Sequence, residues 1–358
     1  MQITCIDQSE GRLFFANEIL AELNNSEHKI YLYLPENYRD IYGNFFKHFH
    51  HIRIKVGLQK LNSIAPNIIF SNADYLNNLQ QIGDNLIYPI LKDSEIEVYS
   101  KWFNQLDEEV KSNIVPVESD QSNKSIAQPE SKWAKDMLER RISNQPLKGK
   151  SFLISAGPTV EDIDPVRFLT NRSSGKMGIA LARAAYMNGA DVQLIIGPTG
   201  TNVPAYLRIE RIRSAKDMYT AVMGYFEYCD VYIGSAAIAD FTPADVKNDK
   251  IKKKEGFSQL ILQPTKDILK EISTIKKNQI LIGFSVETMD PIENSKAKMI
   301  NKNLDLVVVN NPKEKGAAFD AETNVVSVIH KDGRIQSWPI MSKLDVAKKL
   351  ILEIKNLL

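Results

Sequence analysis

Lysine is the residue whose spacing most invites chemistry here. Lys298 and Lys302 stand four apart on a predicted helix and so share one face. The run Lys247-Asn248-Asp249-Lys250-Ile251-Lys252-Lys253-Lys254 holds five lysines in eight residues. Beside a triphosphate such groups clamp and offset negative charge. Without one they are a solvated loop and a solvated helix face. A second pattern is built on small residues. Ser173, Ser174 and Gly175 stand where a helix should begin, with Gly178 just beyond. A helix N-terminus offers unpaired amides and partial positive charge to an anion, and glycine lets a ligand approach the backbone. The spacing is not Gly-x-Gly-x-x-Gly, so a dinucleotide fingerprint is not supported.

Three further strings fall at predicted element ends. In Ser235-Ala236-Ala237-Ile238-Ala239-Asp240, small side chains leave room for a ligand and Asp240 can accept hydrogen bonds. Taken alone, that string reads as a packed strand end with a cap. Thr265-Lys266-Asp267-Ile268-Leu269 opens a helix that Thr265 or Asp267 could cap. Gly283-Phe284-Ser285-Val286-Glu287 closes a strand, where an aromatic ring either fills the core or stacks on a base.

The elements that must position these residues follow from apolar patterning. Residues 152–155 are a short apolar run, ended by Gly157 and Pro158; residues 179–186 are helical; residues 191–196 are a strand. Strand, loop, helix, strand is the opening unit of a doubly wound sheet. Further strands are predicted at 207–212, 231–234, 260–262, 280–284 and 304–309, with helices at 215–228, 267–275 and 291–301. A hairpin at 325–329 and 335–338 and a closing amphipathic helix at 343–357 complete the chain. Residues 1–117 alternate strand and helix signals and predict a smaller α/β domain of flavodoxin-like type. The polar stretch 119–131 predicts a linker, followed by a short amphipathic helix at 133–142. The expected division is therefore 1–117, a 118–146 linker with helix, and a Rossmann-like, mostly parallel 147–358 domain.

At 157–159, 164–167 and 171–178 the sequence reads Gly-Pro-Thr, Asp-Pro-Val-Arg and Asn-Arg-Ser-Ser-Gly-Lys-Met-Gly. From about Leu147 onward it closely resembles phosphopantothenate–cysteine ligase, the C-terminal half of a bifunctional coenzyme A biosynthesis protein in many bacteria. The resemblance implies a two-step ligation. The carboxylate of 4′-phosphopantothenate attacks the α-phosphate of a nucleotide, and the acyl-nucleotide then reacts with the amine of L-cysteine. It implies that Asn171, which stabilises that intermediate, and Lys250 are the catalytic residues, that Ser173, Gly175 and Gly178 hold phosphates, and that Gly157 contacts the nucleotide. Ala236, Ala237 and Asp240 would line the phosphopantothenate and nucleotide sites. Lys250, Lys266, Asp267, Ile268, Leu269, Phe284, Lys298, Lys302 and Asn310 would contact the nucleotide. Lys266 departs from the family's proline. The lysine loop and paired lysines resemble the bacterial members, which generally use CTP, so the resemblance implies CTP over ATP, with magnesium, and a dimer formed through this domain.

The resemblance covers the first third poorly. The flavin-dependent decarboxylase half of that protein has a glycine-rich first turn, where Asp7-Gln-Ser-Glu-Gly11 stands here, and a catalytic cysteine, yet no cysteine lies between Cys5 and Cys229. No flavin and no decarboxylase activity are expected, though a separate decarboxylase could be a partner. His48, His50 and His51 lack nearby carboxylate or cysteine partners and are expected at the surface. A formal charge of +1 gives no global argument for nucleic acid or an anionic membrane. Two distant cysteines and the absence of a leader-like or membrane-length apolar run fit a cytoplasmic protein. The competing classes are a catalytically inactive nucleotide-binding relative and a nucleotide-dependent oxidoreductase.

Overall fold

The structure is a computed structural model. It describes residues 143–252, 259–287, 290–310 and 321–358, together with Trp133, Asp136, Met137, Glu139, Arg140 and the strands among residues 2–127. The chain divides into two compact units, Met1–Asn144 and Gln145–Leu358.

The first unit contains β1 (Gln2–Cys5), β2 (Ile30–Leu34), β3 (Ile52–Val56), β4 (Asn67–Ser71) and β5 (Leu86–Pro89). They form one parallel sheet in the order β3-β2-β1-β4-β5. Parallel strands throughout are what an α/β unit requires. A small antiparallel ribbon joins β6 (Leu91–Lys92) to β7 (Ile126–Ala127). The helices predicted within 1–117 and the three histidines lie outside the described residues, while Trp133, Asp136, Met137, Glu139 and Arg140 of the predicted 133–142 segment are helical.

The second unit is built on eight strands. They are β8 (Ser151–Ala156), β11 (Asp191–Ile196), β12 (Arg208–Arg211), β13 (Val231–Gly234), β16 (Ile280–Val286), β17 (Leu306–Asn310), β18 (Thr323–His330) and β19 (Ile335–Ser342). Two antiparallel ribbons lie outside that sheet: β9 (Val160–Asp162) with β10 (Phe168–Thr170), and β14 (Phe241–Pro243) with β15 (Leu262–Pro264). The sheet order is β12-β11-β8-β13-β16-β17-β18-β19, parallel as far as β17 and antiparallel over the last two pairings. The central strands are nearly continuous apolar runs such as Leu-Val-Val-Val at the start of β17, because both of their faces are covered.

Helices cover both faces. α1 (Lys176–Met187) and α5 (Lys343–Lys355) pack on one, and α2 (Ala215–Phe226), α3 (Ile268–Ile275) and α4 (Pro291–Asn301) on the other. Small residues let α1 lie close to the sheet: Ala180, Ala182, Ala184 and Ala185 are all buried. α5 buries Val346, Leu350, Ile351 and Ile354, each contributing roughly 1.5–3 kcal/mol. Side chains start the helices: Ser214 and Asp217 form a capping box on α2, Asp267 caps α3 and Ser342 caps α5. The chain winds from β8 outward to β11 and β12, then returns to β13 on the other side of β8. That reversal opens a crevice at the C-terminal ends of β8 and β13, where doubly wound sheets take ligands.

Two expectations shift. The predicted strand at 260–262 is β15, outside the main sheet, where Leu262 pairs with Pro243. The long loop after β8 is not featureless, because it folds into the β9–β10 hairpin.

Candidate functional site

A cavity of about 180 Å³ opens beyond the C-terminal ends of β13 and β16. Its wall contains Ala236, Asp240, Phe284 and the α3 entry from Lys266 to Leu269, and α4 adds Lys298 with Lys302 at its end. Lys298 is held in place by donating from Nζ to the Phe284 carbonyl at 2.8 Å. Burial, then the nearby Lys302, pushes its pKa below the ordinary lysine value, against the pull of Glu287, Asp267 and Asp240. Lys302 pairs with Asp267 at 2.8 Å. Asp267 thus has two tasks, since it also accepts the Lys270 amide at 3.1 Å as the α3 cap. Burial raises its pKa, but Lys302 and the amide outweigh that and hold it low. Lys266 lies over the Tyr219 ring at 4.2 Å. Thr265 fixes the turn by donating to the Ala239 carbonyl at 2.6 Å.

A second cluster backs onto the same segment. Asn171 donates from Nδ2 to the carbonyls of Ala237 and Ile238, each at 3.1 Å. The Ala237 amide donates to Gly157 at 2.9 Å, and buried Thr159 accepts the Ala239 amide at 3.0 Å. Residues 236–240 are therefore one wall with the cavity on one side and Asn171 on the other. Beside it, Gly175 stands at the head of α1 with φ +74° and no side-chain cap. The Ser174 carbonyl accepts from Thr199 at 2.6 Å and Thr201 at 3.0 Å, which ties this head to the turn after β11.

Of the expected site residues, nine line the cavity: Ala236, Asp240, Lys266, Asp267, Ile268, Leu269, Phe284, Lys298 and Lys302. Gly157, Asn171, Ser173, Gly175 and Ala237 belong to the neighbouring cluster. Gly178 has a packing task instead of an open face: a Cβ there would stand 2.3 Å from the Ala156 Cβ and 2.7 Å from the Ser235 hydroxyl. Asn310 is buried at the end of β17, outside the cavity lining. Asp305, which ends the Lys302-Asn-Leu-Asp string, lies at the far end of the sheet. There it accepts Lys276 at 2.6 Å and the Leu281 amide at 2.8 Å.

Lys250 is exposed on a loop whose root is fixed by the Asp-Pro-Val-Arg motif. Asp164 is buried and accepts the amides of Val166, Arg167 and Ile251 at 2.8, 2.7 and 3.2 Å. Arg167 donates to the Ile251 carbonyl at 3.0 Å. No role could be read from this motif in sequence, because its partner lies 87 positions away. Burial raises the pKa of Asp164, but the three amides and Arg167 bring it below the usual carboxylate value. A depressed carboxylate stabilises above the unfolded pKa, and that contribution is lost as pH falls through the folded value, here below about 4. Asp164→Asn is expected to lower amide-exchange protection at Ile251 roughly tenfold at neutral pH. The wild-type chain should lose the same protection only below about pH 4. Unchanged protection in the variant would remove Asp164 as the anchor.

Among the described residues, no group of three or more His, Cys, Asp or Glu is placed to hold a metal ion, and no helix is long and apolar enough to cross a membrane. A magnesium ion entering with a triphosphate needs only one or two protein carboxylates. Asp240 fits that need: it lines the cavity and is exposed.

Fold and site together define a doubly wound α/β protein with cationic groups gathered at its ligand crevice. The chain belongs to the family described as DNA/pantothenate metabolism flavoprotein C-terminal domain, which matches residues 147–358. It is 49% identical over 216 residues to the Coenzyme A biosynthesis bifunctional protein CoaBC of Bacillus subtilis, covering 60% of this chain and 53% of that one. It is 43% identical over 221 residues to a prokaryotic protein named Cysteine/Cysteine sulfinic acid decarboxylase, covering 61% of this chain and 62% of that one. The chain thus spans little more than half the length of these curated relatives. The solved C-terminal domain of a Coenzyme A biosynthesis bifunctional protein CoaBC matches with a TM-score of 0.52 at 38% identity, covering 60% of this chain and 97% of that domain. A DNA/pantothenate metabolism flavoprotein from Streptococcus pneumoniae shares the fold at 23% identity, with a TM-score of 0.51 over 58% of this chain and 99% of that one.

Proposed function

We propose that the second unit joins 4′-phosphopantothenate to L-cysteine through an acyl-nucleotide intermediate, with CTP favoured over ATP. The observation that carries this reading is the cavity that brings Lys298, Lys302, Asp240 and Phe284 together beyond the C-terminal ends of β13 and β16. The lysines offset the charge of a triphosphate, and tethering both partners lowers the entropic barrier to their encounter. Phe284 offers a face to the base. Asp240 would help carry magnesium, which neutralises phosphate charge when bound. On the other side of the 236–240 wall, the Asn171 amide, whose two protons serve the Ala237 and Ile238 carbonyls, would turn one of them to an acyl or phosphate oxygen without taking up a proton. Lys250, on its anchored loop, closes the cation set. We assign the unit to a cytoplasmic homodimer with small-molecule substrates, to which a separate decarboxylase could bring its product.

The test is pyrophosphate release with 4′-phosphopantothenate, cysteine and magnesium, comparing CTP with ATP. Cysteine-dependent product is expected with CTP. Product with ATP alone keeps the ligase and overturns the nucleotide choice, while no release with either indicates an inactive relative. Asn171→Ala is expected to fold normally, because its two hydrogen bonds are exposed, yet to slow conversion of the intermediate about 10²-fold or more. Unchanged single-turnover kinetics would remove Asn171 from the mechanism.

A further inference from the structure

Two hydroxyls at the cavity floor have no part in the chemistry described so far. Ser155 lies on β8 and Tyr232 on the adjacent β13. Both line the cavity, and they are 0% and 1% exposed. Their oxygens are 2.9 Å apart, and either can be the donor. The tyrosine ring is fixed edge-on to Phe226, with centroids 6.4 Å apart.

Two hydroxyl groups carry two protons, and their mutual hydrogen bond uses one. The other proton has no acceptor among the described residues. Burial raises the Tyr232 pKa, so the phenol keeps its proton at neutral pH. A buried donor left unpaired costs free energy until a ligand or water accepts from it. The charged end of a nucleotide belongs with Lys298 and Lys302. The uncharged base is the end that suits a buried floor between Phe284, Ile268 and Leu269.

We propose that the Ser155–Tyr232 pair reads the nucleotide base, donating its free proton to an acceptor such as a pyrimidine carbonyl on the base edge. This inference rests on the nucleotide reading of the cavity. The test is calorimetric binding by the full chain of two ligands. One is the better-bound of CTP and ATP; the other is ribose 5-triphosphate, which has no base. Each single variant retains one hydroxyl and its proton, so the Tyr232→Phe, Ser155→Ala double variant is decisive. It is expected to bind the nucleotide about three- to tenfold more weakly and ribose 5-triphosphate unchanged. Tyr232→Phe alone keeps the ring, guards against misfolding, and should show a smaller loss in the same direction. Unchanged nucleotide affinity in both variants overturns the assignment. An equal loss for both ligands also overturns it, by placing the pair on the sugar or phosphates. Failure of the wild-type chain to bind either ligand would instead remove the nucleotide reading beneath it.

Discussion

Lys298→Met is expected to cut nucleotide-dependent kcat/KM by about 10²–10³-fold while leaving the melting temperature unchanged or raised. The two outcomes have one cause. The Lys298 ammonium is desolvated and sits near a like charge, which is why its pKa is depressed. Methionine fills a similar volume and removes that cost. The Phe284 carbonyl loses a donor, but it lies at the cavity edge where water can replace it. The phosphate loses a cation that its neighbours do not replace, since Lys302 is already paired with Asp267 and Lys266 lies over the Tyr219 ring. Steady-state kinetics and thermal unfolding on one preparation read both effects. Activity and stability falling together would make Lys298 a structural residue. Its depressed pKa adds an alkaline signature: nucleotide affinity should weaken at a pH below the ordinary lysine range near 10.4, as Lys298 gives up its proton.

Gly197→Ala should be the most damaging single-methyl change in the second unit. A Cβ at this position would lie 1.7 Å from the Pro158 carbonyl oxygen and 2.8 Å from its carbon. Both atoms are backbone, so no rotamer relieves the clash and the loops after β8 and β11 must part. The expected cost is about 3 kcal/mol or more, which for a domain of this size lowers the melting temperature by roughly 6–12 °C. Gly200 is the control three residues on, because nothing lies within 4 Å of a Cβ there. If Gly197→Ala melted within 2 °C of Gly200→Ala, the close approach of the two loops would be refuted.

The sequence announced the second unit's fold because its central strands are covered on both faces. Apolar runs such as 231–234 and 280–284 have few other uses, and α1, α3 and α4 begin within a few residues of their predicted starts. Three residues of the strings at strand ends, Ala236, Asp240 and Phe284, line one cavity together with Lys298 from α4. What stayed hidden depends on pairing at long range. Ser155 and Tyr232 sit in strand positions whose burial pattern is that of core residues, so periodicity gives them no mark. Asp164 gains its meaning from Ile251, and Gly197 from Pro158. Gly178 has a packing reason that spacing does not show, since its missing side chain admits Ala156. In the first unit, strand positions were readable from short apolar runs such as 67–70.

The wall at 236–240 also has a thermodynamic consequence. Its carbonyls at Ala237 and Ile238 are the acceptors that Asn171 uses, while Ala236, Ile238 and Asp240 face the cavity. A ligand that shifts this segment from one side changes what Asn171 meets on the other. Occupancy of the two sides is then cooperative or antagonistic as a pair, and reciprocity makes the factor identical whichever ligand arrives first.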